Sequence, residues 1–442
     1  MNIDIPQNLS PIAQELVEGL LDTRKRELEV LDHLTHDQLY GMQMKSVEPP
    51  IWEMGHVGWF QDRWILQNLD KQAPVSQDAD NLYDSFNIPN AERWDLAFPS
   101  FGETYEYITE VLSRIIQRLD NRELTPEDVY FYRLVINHED MHSETMVHIR
   151  QTLGYKRPSI SNTRLTSPPI DPSFTLYDIS IPGGTYMLGA TTEMPFVLDN
   201  EKWAHPIDIK PYKISNTPVT VDQYRQFVES GGYQDKAYWS EEGWAWRQKA
   251  NAEHPAYWHQ ETDGSWCMRW FEGFIPLEPY HPMMHVNYYE ATAYCSWAGR
   301  RLPTEAEWEL AASAQLTEDG NGFTNAKPLF PWGNDAPDQN RANLDSAALG
   351  PIDVRALSAG DSAFGLRQMI GNVWEWTADT FEAFPGFVID PYDTYSAPSF
   401  GQQKVLRGGC WVTRSRVIRN TWRNFYTPDR NNIFAGFRTV AL

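Results

Sequence analysis

Residues 126–155 read PEDVYFYRLVINHEDMHSETMVHIRQTLGY, and their reading decides the architecture of the first third of the chain. Apolar side chains recur at three- and four-residue spacing, the period of a helix with one buried face. Thr125 and Pro126 open the run, with Glu127 and Asp128 in its first turn, so a single long helix is predicted. Within it His138-Glu139-Asp140-Met141-His142 spells H-E-x-x-H. That is the spelling of the zinc-peptidase helix, where two imidazoles one turn apart hold a metal and the glutamate is the base. His148 stands where the longer form of that pattern takes its third histidine.

Helix geometry separates these histidines. His138 and His142 lie about 40° apart on one face and ~6 Å along the axis, so one ion can engage both. His148 is turned about 240° from His142 and lies ~9 Å further on, out of reach unless the helix breaks. Peptidases break it with glycine, whereas this chain has Thr145 inside the well-formed run SETMVHIRQTL. His148 therefore reads as a helix-surface or packing residue. Glu144 points about 200° from His142 and reads as orienting a ligand or stabilising the helix packing. Glu139 reads as a carboxylate in solvent or behind the ligands.

Three further stretches carry the same period: SPIAQELVEGLLDTRKRELEVLDHL (10–34), PPIWEMGHVGWFQDRWILQNL (49–69) and GETYEYITEVLSRIIQRL (102–119). Four long amphipathic helices predict a four-helix bundle, in which facing helices can point ligands at one internal site. The better third partner is then His56, set among Trp52, Val57, Trp59 and Phe60. For a single histidine in such a setting, a neutral core imidazole bonded to a carbonyl is the competing reading. Three neutral imidazoles would leave a divalent ion its full charge and open positions, which suits catalysis better than a closed structural site. Spacing does not separate zinc from iron.

The texture changes after residue 155. KRPSISNTRLTSPPIDPSF (156–174) is rich in serine and proline and reads as a linker. The expected limits are 1–157 for the bundle, 158–174 for the linker and 175–442 for the second domain. There, short β-like runs alternate with Gly pairs and many Trp, and helices are expected only over 220–230, 288–298 and 305–312. The result is an α+β domain with much irregular structure.

Composition narrows the function. Of 442 residues 41% are hydrophobic and 13% aromatic, with 18 Trp, enough for two full cores. Lys and Arg number 37 against 60 Asp and Glu, a net charge of −23. Such a surface repels nucleic acid and anionic membranes and points to a small-molecule substrate or a protein partner. No apolar run nears the ~20 residues of a membrane span. The N-terminus has no basic start followed by an apolar stretch, and Cys267, Cys295 and Cys410 are too scattered for a disulfide framework. A reduced, cytoplasmic protein is expected.

Two resemblances cover nearly the whole chain. H-x-x-x-H-x-E (His138, His142, Glu144) with the upstream Gly55-His56 resembles the DinB-like domain of ergothioneine-forming sulfoxide synthases. IPGGTYMLGA, NTPVTVDQYRQFVESGGY, RLPTEAEWE, FPWGN, GNVWEWTAD, VLRGGCWVTRSR and AGFRTVAL are similar to the formylglycine-generating-enzyme (sulfatase-modifying-factor) domain, whose fold is related to C-type lectins. The implied fold class is an N-terminal DinB-like four-helix bundle followed by a C-type-lectin-like formylglycine-generating-enzyme domain. Many proteins use that second scaffold for other tasks. Formylglycine formation itself is not expected: Thr413 stands where the copper-binding pair needs a cysteine, and Cys410 reads as a buried small hydrophobe.

The resemblance implies Fe(2+) held by His56, His138 and His142, with hercynine (Nα-trimethylhistidine), a thiol or selenol donor and dioxygen as partners. A carbon–sulfur or carbon–selenium bond would form at the ring carbon between the two imidazole nitrogens. It further implies that Asn424 contacts the imidazole substrate, that Phe425 lines its pocket and that Arg93 binds the donor carboxylate. The chain departs from the family pattern in two places, and a third region carries an active-site tyrosine in some members. Tyr426 stands where an Asp is common, Phe86-Asn87 where many members have a tyrosine pair, and Phe384 at one candidate position for an active-site tyrosine, with Tyr392 and Tyr395 nearby. These departures resemble the selenoneine-synthase branch, whose donor is a selenosugar, and they make Tyr426 the candidate proton or hydrogen donor. The competing expectations are a DinB-like zinc thiol transferase and a non-catalytic lectin-like binding protein.

Overall fold

A computed structural model describes all residues except 1, 2, 45, 162 and 164–167. The chain divides into two compact units, residues 1–161 and 162–442. Part of the expected linker, residues 162 and 164–167, lies outside the described residues.

The first unit is helical. Its elements are α1 (Pro11–Leu31), the short α2 (His36–Tyr40), α3 (Pro50–Gln61), the short α4 (Ala79–Tyr83), α5 (Phe101–Gln117) and α6 (Pro126–Leu153). Starts follow local chemistry. The Ser10 hydroxyl accepts from the Ala13 N–H, and Ser100 and Thr125 each form a reciprocal box with the acidic residue three positions on. Gly154, with φ 69°, closes α6 in the left-handed conformation. α6 is unbroken across residues 138–148, as the sequence requires, while α3 runs on into a wider π-helical segment, Asp62–Leu69. α1 packs on α6, and α3 packs on both α5 and α6. Leu16, Leu20, Ile108, Leu112, Ile115, Phe131 and Val135 are among the buried residues between them, each such side chain contributing roughly 1.5–3 kcal/mol.

The second unit joins short sheets by long loops. One four-stranded sheet has the order 178–181, 212–215, 440–441, 300–301, and the other 424–426, 404–407, 374–380, 435–436. The expected helices occur as α7 (Val221–Glu229), α9 (Tyr288–Trp297) and α10 (Glu305–Ser313). One element was not expected: α8 (Glu241–Ala250), capped by Ser240 and closed by left-handed Asn251. Its Gly243 and paired Trp244 and Trp246 mask the helical period, although acids in its first turn and bases in its last mark it as a helix.

The family motifs supply this unit's buried charges. Glu305 and Glu309 of RLPTEAEWE pair with Arg407 of VLRGG at 2.9 and 2.5 Å, and Glu375 of GNVWEW pairs with Arg438 of GFR at 2.6 Å. Burial alone would raise the Glu309 carboxyl, but Lys327 and Arg407 hold it down at about 2. All three cysteines are free and buried, and the Cys410 backbone N–H donates to the Thr413 hydroxyl. No helix among the described residues is long and apolar enough to cross a membrane.

Candidate metal centre

α3 and α6 bring His56, His138 and His142 together, with one ring nitrogen from each lying within 4.8 Å of the others. Ring centroids are 4.4 Å apart for His138 and His142, 5.0 Å for His56 and His138, and 4.7 Å for His56 and His142. His56 and His138 are buried, and the side chain of His142, 21% exposed, gives the cluster its open side.

Each ring is held differently. His56 donates from Nδ1 to the Tyr83 carbonyl at 2.8 Å; a carbonyl only accepts, so that nitrogen carries the proton and Nε2 keeps its lone pair. Trp52 and Trp59 stack on its two sides at 4.5 and 5.5 Å. His138 lies flat on Phe60, centroids 3.5 Å apart and planes 3° from parallel. His142 Nδ1 donates to a Glu53 carboxylate oxygen at 2.5 Å. Burial, and next the neighbouring imidazoles, hold His56 and His138 well below the ordinary histidine range. They are therefore neutral at physiological pH, the form that binds metals. Three converging imidazoles, two of them oriented by hydrogen bonds from Nδ1, are a donor set that fits a divalent first-row metal.

Gly55 allows this closeness. A Cβ there would lie 2.1 Å from the Tyr83 ring, so only glycine lets Tyr83 press on α3 and present its carbonyl to His56.

Two carboxylates behave differently from expectation. Glu139 is not in solvent: it is fully buried and accepts from Arg24 Nε at 2.8 Å and from Gln61 Nε2 at 2.5 Å. Arg24 also pairs with Glu27, whose carboxyl burial, followed by Glu139, pushes well up. Glu53 carried no role in the sequence reading, although its position one turn before His56, E-x-x-H, puts both on one face of α3. His148 is buried on α6 and lies outside the three-nitrogen cluster.

Arg93 is buried, its guanidinium 4.0 Å over the Trp52 ring that stacks on His56. It donates to the Ile88 and Ser85 carbonyls and pairs with Glu48 at 2.8 Å. In the second unit Asn424, Phe425 and Tyr426 form a half-buried strand opposite Leu406, Val405 and Lys404. Phe425 stacks on Phe381 at 4.0 Å with its edge toward Tyr395 at 5.5 Å, and Arg430 lies 5.1 Å from the Tyr426 ring. Phe384 packs against His205 and under Arg423, which also lies over Phe381, and Tyr395 is the tyrosine beside Phe425.

The fold and this cluster define a protein that joins a histidine-bearing helical bundle to a sulfatase-modifying-factor scaffold. Residues 20–146 match the DinB superfamily, and residues 173–441 match the sulfatase-modifying factor enzyme 1-like domain. The hercynine oxygenase of Mycolicibacterium smegmatis is 36% identical, covering 97% of this chain and 99% of its own. That of Mycobacterium tuberculosis is 34% identical over 96% of this chain and 98% of its own. The formylglycine-generating enzyme of Thermomonospora curvata is 30% identical over 60% of this chain and 92% of its own. The chain belongs to the ergothioneine-type sulfoxide synthase family.

Proposed function

We propose that this chain is a non-haem iron(II) enzyme that uses dioxygen to join a sulfur or selenium atom to hercynine, at the ring carbon between the two nitrogens. The observation that carries the reading is the convergence of three imidazole nitrogens within 4.8 Å, in a full-length relative of hercynine oxygenases. His56, His138 and His142 would hold the iron, which would supply a +2 charge and one-electron chemistry at open positions. The rest falls to the protein. Asn424 fixes the imidazole of hercynine by hydrogen bonding. Phe425, with Phe381 and Tyr395 around it, offers π faces to a trimethylammonium group, which has no N–H to donate. Arg93 keeps N–H groups on its terminal nitrogens for an anionic or hydroxyl-bearing donor. Holding the ring carbon within ~3–3.5 Å of the chalcogen accounts for much of the acceleration, because that carbon is a poor partner in water. Tyr426 supplies the proton or hydrogen that steers coupling over oxidation of the donor.

The donor we favour is a selenosugar, because Tyr426 and Phe86-Asn87 replace residues that related enzymes use around an amino-acid donor. The test is metal analysis after anaerobic purification, then dioxygen with hercynine and each candidate donor, read by mass spectrometry. A hercynine–selenium or hercynine–sulfur adduct with donor-dependent oxygen uptake supports the reading. Bound zinc with donor transfer in the absence of oxygen moves the protein to the thiol transferases, and no adduct with any donor refutes it.

A further inference from the structure

Glu53 places a carboxylate on α3 one turn before His56. It is 1% exposed, and burying a carboxylate without a compensating cation is costly. Among the described residues no Lys or Arg forms an ion pair with it; its one hydrogen bond comes from His142 Nδ1. Arg24 pairs with Glu27 and Glu139, and Arg93, which Glu53 influences through space, makes its ion pair with Glu48. The imidazole N–H of His142 is thus its one direct partner. A dication on the far nitrogen of the same ring would compensate it through the imidazole.

We infer that Glu53 is a positioning residue for the metal: it fixes the Nδ1–H tautomer of His142, aims Nε2 at the shared site and contributes the negative charge that favours a dication there. The inference rests on the proposed metal site. The rings differ in their support: His56 donates to a backbone carbonyl and His138 lies on Phe60, whereas His142 donates to a carboxylate. Because Glu53 and His56 share α3 while His142 is on α6, the carboxylate further ties the two ligand-bearing helices together. A residue that orients a ligand in this way typically alters metal affinity 10–100-fold when removed.

The test compares wild type, Glu53→Gln and Glu53→Met as full-length apoproteins, titrated anaerobically with iron(II) and with cobalt(II), whose visible spectrum reports ligand geometry. The nitrogen-15 shifts of His142 are read in the absence of metal. Glu53→Gln keeps an acceptor for Nδ1–H without the charge, and is expected to keep the tautomer while weakening metal binding roughly tenfold. Glu53→Met removes the acceptor, and is expected to approach a hundredfold loss with a changed cobalt spectrum and a mixed tautomer. Metal dissociation constants and cobalt spectra equal to wild type in Glu53→Gln and Glu53→Met would overturn the inference while leaving the metal site intact. If Glu53→Met fails to fold, an unchanged dissociation constant in the near-isosteric Glu53→Gln is enough to overturn it. Wild type that binds neither metal would overturn the metal site and this inference together.

Discussion

Replacing Gly55 with alanine puts the arrangement around His56 to a severe test. The added methyl would sit 2.1 Å from Tyr83 Cε1 and 2.2 Å from Cζ, where ordinary carbon contacts are about 3.5–4.0 Å. The ring must retreat by roughly 1.5 Å, yet it is 2% exposed and packed against Phe98 and Tyr107. Overpacking of this kind costs about 1–3 kcal/mol. Moving Tyr83 also moves the carbonyl that holds His56 Nδ1, a further loss of about 0.5–1.5 kcal/mol. Gly55→Ala should therefore lower the urea midpoint of the first unit's unfolding in the intact chain. It should also weaken cobalt(II) binding by roughly tenfold, as expected when a ligand's partner is displaced. A variant with the wild-type midpoint and affinity would show that Tyr83 does not set the His56 ring, and the account of that ligand's tautomer would fall.

Other outcomes follow from the same structure. Arg24→Met leaves Glu27 and Glu139 buried without their cation and should destabilise the first unit by about 3–5 kcal/mol, seen by urea unfolding, with partial recovery in the double variant carrying Glu139→Gln. Burial pushes the Glu290 carboxyl, which accepts from Tyr233, up to about 7. Its folded value thus lies above its unfolded one, so the stability it contributes is fully present below pH ~4.5 and is lost as pH rises through about 7. Glu290→Gln should flatten that part of a pH series of urea unfolding curves, and an unchanged slope would refute the assignment. Asn424→Ala should raise the KM for hercynine by 5- to 150-fold, the cost of about 1–3 kcal/mol for a lost buried hydrogen-bond partner, with the donor's KM little changed. Tyr426→Phe should shift products from coupling toward oxidised donor, measured by chromatography, and an unchanged ratio removes Tyr426 from that role.

What was legible in the sequence was local. The period of α6 places His138 and His142 on one face, and the continuity of SETMVHIRQTL rules out His148, because both depend only on residues within a few turns. His56 was legible from its apolar neighbours on α3, all buried. The partners of these rings were not, because tertiary packing chooses them: Tyr83 comes from 27 residues away and Glu53 from 89. Of the two places expected for Glu139, solvent is excluded for a related reason. A helix in a bundle ordinarily keeps one face in water, but α6 is buried almost all round from Phe131 to Asp140, so its acids need partners such as Arg24 and Gln61 instead of solvent. The second unit shows the opposite balance. Its most recognisable motifs are those whose charges are neutralised inside the core, Glu305, Glu309, Glu375, Arg407 and Arg438, so they identify the scaffold. The strand Asn424–Tyr426, by contrast, is short and half-buried, held by pairing to Lys404–Leu406 and by Phe425 on Phe381. A half-buried side chain there can change without breaking any of those buried ion pairs. Under the proposed function it is therefore Tyr426 that bears on the donor, while RLPTEAEWE and GNVWEW carry the scaffold.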